Sequence, residues 1–169
     1  GTAAVGAAVG TNVIANTTAA RINQSGVNAG GATLVQADNR SEIETISVSG
    51  EGSGTASVGG SIAVSQISNT TEAEIIDSQA ANQGSQVTVL AADESRISSI
   101  SGGAAVSGTA SVGAAVSVNR IANTTTARVR GGQFEVEDLL VKGTAASTIK
   151  SAAVGLGGSG VVGVAGSTA

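Results

Sequence analysis

The chain has 169 residues, a net charge of −4, 41% hydrophobic residues and only 12% charged residues, and its single aromatic side chain is Phe134. It contains no cysteine and no histidine, which excludes disulfides and thiolate metal sites and removes the commonest general base and zinc ligand. The eight Lys and Arg residues are scattered, so we expect no nucleic-acid partner. The longest uncharged stretch, residues 151–169, is rich in glycine and hydroxyl residues, so we expect no membrane insertion by this segment. The glycine-rich loops lack the Lys of a phosphate-binding motif, and we expect no cofactor.

The chain opens on a motif that it repeats. "GTAAVGAAVGTNVIANTT" begins at Gly1, "GTASVGGSIAVSQISNTT" at Gly54, "GTASVGAAVSVNRIANTT" at Gly108, and a fourth start, "GVVGVAGSTA", at Gly160. The intervals of 53, 54 and 52 residues indicate a repeat architecture. We therefore expect one segment of a longer protein, residues 1–169, made of repeats 1–53, 54–107 and 108–159 and a partial repeat 160–169.

The first run of each repeat alternates as a β-strand does. Ala3, Val5, Ala7 and Val9 occupy every second position, and the later copies keep small or apolar residues there. We interpret this set as the packed face of the strand. Ile14 has the opposite parity, so we predict a bulge or corner near residues 12–13 and at the equivalent places in the later repeats.

A recurring Asn follows this run. We predict that it forms a structural corner, because Asn tolerates left-handed dihedrals and its amide can bond to neighbouring backbone. The three corner residues are Asn16, Asn69 and Asn123. In the nonapeptides that contain them, "IANTTAARI", "ISNTTEAEI" and "IANTTTARV", alternate positions after the Asn stay small or apolar while charges appear between them. This predicts a second strand with one packed and one solvated face.

The same asparagines belong to glycosylation sequons. Five sequons occur, at Asn16, Asn23, Asn39, Asn69 and Asn123. An inward-leaning corner Asn cannot carry a sugar, so we favour the structural interpretation for the corner residues and keep glycosylation as the alternative.

Beyond the nonapeptide each repeat has further apolar runs, "ATLVQA", "SQVTVLAA" and "QFEVEDLLVKG". Antiparallel sandwiches, barrels and propellers are alternatives, but the chain has no Asn-Gly or Asp-Gly hairpin signal. Like residues in register favour an all-β fold, a right-handed parallel β-helix or solenoid. We expect two coils of roughly 24 to 29 residues per repeat, although three shorter coils also fit. Six or seven coils would form a rod of roughly 30 Å.

Two pairs of carboxylates are the nearest approach to catalytic residues. Glu42 with Glu44, and Glu135 with Glu137, lie on one face of their predicted strands, as glycoside hydrolysis would require. Neither pair recurs in the other repeats, and no His, Tyr or Cys accompanies them. We interpret both as solvated acidic faces and expect no enzymatic activity.

The chain resembles the passenger regions of large bacterial type V secreted adhesins, the filamentous haemagglutinin-like proteins and particularly the leukotoxin-type filamentous adhesins. The resemblance is carried by "GTASVGAAVSVNRIANTTTARV" at 108–129, its two companions, and "AADESRISSISGGAAVSGTASVG" at 91–113. It implies a right-handed parallel β-helix, secreted through the outer membrane, that holds a distal adhesive or toxic part away from the cell.

We therefore expect a structural stalk segment of a secreted or cell-surface bacterial adhesin, with a role in cell adhesion and virulence. Its expected partners are the remainder of the same solenoid at both ends and other copies in end-to-end association. The alternative is that outward Ser, Thr, Asn and Gln side chains on the solenoid bind a host-surface glycan or protein.

Overall fold

The computed structural model describes the backbone throughout and the side chains of residues 1–79 and 86–169. Eleven strands are present: β1 (Ala3–Ile14), β2 (Thr17–Asn23), β3 (Gly26–Val27), β4 (Thr33–Ser53), β5 (Ala56–Ile67), β6 (Thr70–Ile76), β7 (Gln79–Ser107), β8 (Ala110–Ile121), β9 (Thr124–Arg130), β10 (Gln133–Ser159) and β11 (Val162–Thr168). No helix occurs in the chain as described. The prediction of an all-β fold is confirmed.

The strands form three parallel sheets, which the chain visits in a fixed order. Sheet A contains β1, β5, β8 and β11; sheet B contains β2, β6 and β9; sheet C contains β3 and β4, then β7, then β10. Each described pairing is parallel. Parallel partners cannot be joined by tight hairpins and need long connections, which agrees with the missing hairpin signals in the sequence.

The pairing register corrects the expected number of coils. In sheet A, Ala3 pairs with Ala56, Ala56 with Ala110, and Ala110 with Val162, so partners are 53, 54 and 52 residues apart. Two coils per repeat would instead pair residues roughly 24 to 29 apart, so that expectation is wrong. The chain passes once through each sheet per repeat. With about 4.8 Å between strands, the described layers rise only about 15 Å, and not the 30 Å expected.

Sheet C faces both of the shorter sheets. Strand β4 contacts β1 and β5 of sheet A as well as β2 and β6 of sheet B, and β7 makes the equivalent contacts one layer on. A strand of 21 residues such as β4 is about 70 Å long. The molecule is therefore a flat two-layered slab that is much wider than it is high.

One end of the slab, which we call the thick half, has an ordinary apolar core. Sheet B packs there against the amino-terminal parts of the sheet C strands, and the buried cluster consists of Val35, Ala37, Ala73, Ile75, Val87, Val89 and Ala91. Ile43, Ile67 and Ile97 form a second cluster at its border. The predicted inward set of the second strand is confirmed, since Thr71, Ala73 and Ile75 are at most 2% exposed.

The other end, the thin half, is built differently. Sheet A packs there against the carboxyl-terminal parts of the sheet C strands through glycine and serine. A Cβ atom on Gly59 would lie 2.4 Å from the carbonyl oxygen of Ala104, and one on Gly113 would lie 1.8 Å from that of Leu156. The two backbones are thus in direct contact, much closer than the roughly 10 Å of ordinary sheet packing.

This contact overturns the predicted orientation of the first strand. Ser57, Ser61 and Ala63 are buried, whereas Val58 and Ile62 are 46% and 44% exposed. The valines point outward because the space between the sheets accepts only small residues. The predicted bulge near residues 12–13 is also wrong: β1 pairs with β5 in unbroken register from Ala3 to Ile14. The register shift that is present lies between Val136 and Asp138 of β10.

Candidate functional site

The three predicted corner asparagines lie in two-residue breaks between a sheet A strand and the following sheet B strand. The backbone N–H of Asn16 donates to Oδ1 of Asn69 over 3.1 Å, and that of Asn69 donates to Oδ1 of Asn123 over 2.9 Å. The carbonyl oxygen of Asn16 accepts from the N–H of Thr70. The side chains therefore continue the interstrand hydrogen bonding across the break, which we call the Asn ladder.

The amide groups of the Asn ladder also reach sheet C, on the other side of the slab. Nδ2 of Asn69 donates to Oγ of Ser41 over 3.0 Å and of Ser95 over 3.3 Å. Nδ2 of Asn123 donates to Ser95 over 2.7 Å. Asn69 is 2% exposed, so its side chain forms a buried link from the break between sheets A and B to sheet C.

A buried carboxylate completes this polar cluster. Asp93, which is 2% exposed, accepts hydrogen bonds from Nδ2 of Asn39 over 2.7 Å and from Oγ of Ser95 over 2.9 Å. It also accepts one from Nδ2 of Asn123. Three donors compensate for the loss of water around the charge. Because the donors occupy both carboxylate oxygens, the arrangement suits a structural anion.

The left-handed conformation expected at Asn occurs elsewhere. Among the residues that the structure describes, the non-glycine residues with positive φ are Gln24 (47°) and Asp77 (45°). Both follow a sheet B strand, and Gly131, with φ of 67°, occupies the matching place after β9. The left-handed residues thus lie in the turns between sheets B and C. The corner asparagines contribute through hydrogen bonds and not through an unusual backbone conformation.

The sequon asparagines differ in their accessibility. Asn69 is buried, and the Nδ2 atoms of Asn39, Asn69 and Asn123 are all engaged in hydrogen bonds. Asn16 and Asn23 are exposed. A glycan on Asn69 would require the two layers to separate, so glycosylation remains a prediction only for exposed positions such as Asn23.

The structure does not gather the acidic pairs into a cleft. Glu42 and Glu44 are exposed on the outer face of β4, and Glu135 and Glu137 are exposed on β10. Within residues 1–79 and 86–169, no group of three or more His, Cys, Asp or Glu side chains could hold a metal ion. These carboxylates have the surroundings of solvated surface charges.

A ladder of ion pairs lies on the outer face of sheet B. Glu74 of β6 stands between Arg21 of β2 and Arg128 of β9, with Oε2 3.2 Å from Nε of Arg21 and Oε1 2.6 Å from Nε of Arg128. Glu74 is only 2% exposed because the two arginines cover it. Glu72 also contacts Arg21, and its carboxylate raises the pKa of the Arg21 guanidinium. The ladder joins three successive layers by charge.

The outer face of sheet A in the thin half is apolar and regular; we call it the apolar face. Equivalent residues lie above one another in columns. A ridge of Val5, Val58, Val112 and Val164 is followed by a furrow of Ala7, Gly60, Ala114 and Gly166 and by a second column of Val9, Ile62, Val116 and Thr168. The furrow forms part of a groove of about 220 Å³. This face carries no charged side chain between residues 3 and 10, 56 and 63 or 110 and 117.

Comparison of the chain with protein-family models, curated proteins and solved structures found no match. Within the described residues, no helix is long and apolar enough to span a membrane.

Sequence reasoning missed Ser41, Ser95 and Asp93, the partners of the Asn ladder. A signal for them exists in the divergent part of the repeat. Ser41 and Ile43 pair with Ser95 and Ile97 in the structure, so a Ser-x-Ile pattern recurs there, and it occurs once more at 147–149. Comparing the copies at offsets of 54 and 52 residues would have found it.

Proposed function

We propose that the chain is a segment of a right-handed parallel β-solenoid that serves as a structural stalk in a secreted or cell-surface bacterial adhesin. The observation that carries the proposal is the stacking of like residues one repeat apart, above all the Asn ladder. Such stacking allows successive layers to be added without changing the pattern of contacts. Right-handedness is supported by the strong preference of parallel strand crossovers for that hand.

The outer strands support the same role. β1 and β11 lie at the two edges of sheet A, and β2 and β9 lie at the edges of sheet B. An edge strand offers backbone N–H and C=O groups to a further strand. Further repeats of the same protein are the partners that fit these edges best, and pairing between the ends of two copies is the related self-association.

A glycan- or protein-binding face built from outward hydroxyl groups receives less support. Many serines face inward, including Ser57, Ser61, Ser99, Ser101 and Ser111, each at most 2% exposed. The outward residues that alternate with them in sheet A are mainly Val, Ile and Ala. A glycan array on the purified chain tests this alternative, which requires saturable binding.

The stalk proposal predicts growth along one axis. Twenty additional copies of residues 54–107, inserted in frame after residue 107, should lengthen the molecule by about 100 Å, at about 4.8 Å per layer. Small-angle X-ray scattering measures this against the parent chain, whose longest strand, β7 with 29 residues, spans about 95 Å when fully extended. A largest dimension that is no greater in the extended chain than in the parent chain would contradict the stalk. Surface location is tested separately, by antibody labelling of intact bacteria.

A further inference from the structure

The apolar face is unusual for a protein surface in its regularity and its lack of charge. Its charge-free part, residues 3–10, 56–63 and 110–117 with β11 beside them, is about 26 Å long and four strands, or about 19 Å, wide, so it covers about 500 Å². This lies in the upper half of the range of about 300–600 Å² that the largest apolar patch of a typical monomer covers. Val5, Val9 and Ile62 on this face are 80%, 70% and 44% exposed.

We propose that the apolar face is an interface between two copies of this chain, which pack face to face through sheet A. Two such faces would together bury about 1,000 Å², the minimum for a specific protein–protein interface with good complementarity. An occupant recognised by hydrogen bonds or charge is disfavoured, because the central columns of the face consist of Val, Ile, Ala and Gly with one terminal Thr.

The relief of the face favours a second copy over an irregular partner. Its valine ridges alternate with the Ala/Gly furrow at every second residue, a spacing of about 6.6 Å. A two-fold axis makes the same patch face itself, so a ridge of one copy can enter the furrow of the other. Dry interdigitation of this kind is how identical sheets pack in steric zippers.

The outer face of sheet C in the thin half provides an internal comparison. It is also apolar, with Ile100 49% exposed and Val48 63% exposed. Its columns mix sizes, however: Val48 pairs with Gly102, and Gly102 pairs with Val154. This face lacks continuous ridges and furrows, so it does not complement itself.

The inference concerns a side of the slab and not its ends, so it is independent of the stalk proposal. The test is sedimentation equilibrium of the 169-residue chain from about 1 to 100 µM. We expect at least a dimer for the parent chain, and larger species where strand edges at the ends also pair. Ile62→Lys should weaken the dimer at least about 100-fold, because the two-fold axis would bury two unpaired ammonium groups. Ile100→Lys, at a site of similar exposure on sheet C, should leave the dimer unchanged.

Two further measurements separate this interface from other associations. The chain has no cysteine, so a short thiol-reactive bismaleimide should crosslink two copies of the Ile62→Cys variant, whereas it should not crosslink Ile100→Cys. Circular dichroism melting curves must show that each variant is folded. A parent chain that is monomeric at 100 µM, a dimer that survives Ile62→Lys, or a monomer that floats with phosphatidylcholine vesicles through this face would overturn the proposal.

Discussion

The backbone N–H of Asn69 donates to the side-chain oxygen of Asn123, 54 residues further along the chain, over 2.9 Å. The side chain of Asn69 in turn accepts from the N–H of Asn16 and donates to Ser41 and Ser95. One buried side chain thereby joins two neighbouring repeats and also links the two packed sides of the slab.

Replacing this residue should be costly. Asn69→Ala removes the acceptor of the Asn16 N–H and one hydrogen-bond donor each from Ser41 and Ser95, and we expect the free energy of unfolding to fall by about 2 kcal/mol. Urea titration followed by circular dichroism measures the loss. Asn16→Ala is the control, because Asn16 is exposed and its Nδ2 lies 3.5 Å from Ser41. Equal losses in the two variants would mean that the buried link has no special role.

The glycines between the sheets of the thin half should be irreplaceable. Gly103→Ala would place a Cβ atom 2.0 Å from the carbonyl oxygen of Ala114, so the sheets must move apart, at a cost of about 3 kcal/mol. Gly50 has no atom within 4 Å of the corresponding position, and Gly50→Ala should change the stability by less than about 1 kcal/mol. Thermal and urea unfolding compare the two. A Gly103→Ala protein as stable as Gly50→Ala would show that the backbones are not in contact.

Replacing a buried hydroxyl group that has no hydrogen-bond partner should not destabilise the fold. Ser101 is 0% exposed, and its Oγ has no partner in the described structure, so Ser101→Ala should be neutral or should stabilise the fold by about 1 kcal/mol. Oγ of Ser99 lies 2.7 Å from Oγ of Ser117, and Ser99→Ala should destabilise it by about 1 kcal/mol. The difference in urea midpoint between the variants is the measurement. Marked destabilisation by Ser101→Ala would reveal a partner for that hydroxyl.

The ion-pair ladder on sheet B should depend on its central carboxylate. Glu74→Gln leaves Arg21 and Arg128 facing an uncharged side chain, and we expect a loss of about 2 kcal/mol, less than for a fully buried pair because both arginines are 51% exposed. Glu94→Gln removes only an exposed contact of 3.8 Å with Arg40 and should cost less than about 0.5 kcal/mol. Unfolding at low and high salt measures both changes. A Glu74→Gln loss that is no larger than that of Glu94→Gln would contradict the ladder.

Sequence reasoning correctly predicted the inward face of a strand where charged residues mark its outward face. In the second strand of each repeat, Arg21, Glu72 and Arg128 mark the outward positions, so the inward set, including Ala73 and Ile75, could be identified by elimination. The repeat interval likewise predicted which residues would be partners in the sheets. Its division into two coils was wrong because no turn signal distinguishes a half-repeat from a long strand.

The same reasoning failed in the first strand because the only charge in its three full copies, Arg120, lies near the end of β8 and far from Val112 and Val116. Hydrophobicity alone predicts that Val58 and Ile62 face the interior, whereas Gly59 and Ser61 occupy it. Hydrophobicity ranks side chains by their preference for burial, but the distance between the sheets decides which of them fit, and that distance is a property of the opposite strand. The close approach of Gly103 in sheet C to Ala114 in sheet A reveals this distance. Only the three-dimensional structure brings these two residues together.

The backbone contact at Gly59 and Gly113 leaves almost no space between the two sheets of the thin half at these positions. Where the two backbones touch, a small molecule cannot enter between the sheets and a bulkier side chain has no room. This half of the molecule can therefore bind a partner only through its outer surfaces. Substitutions on those surfaces can change the partner that is bound without changing the fold.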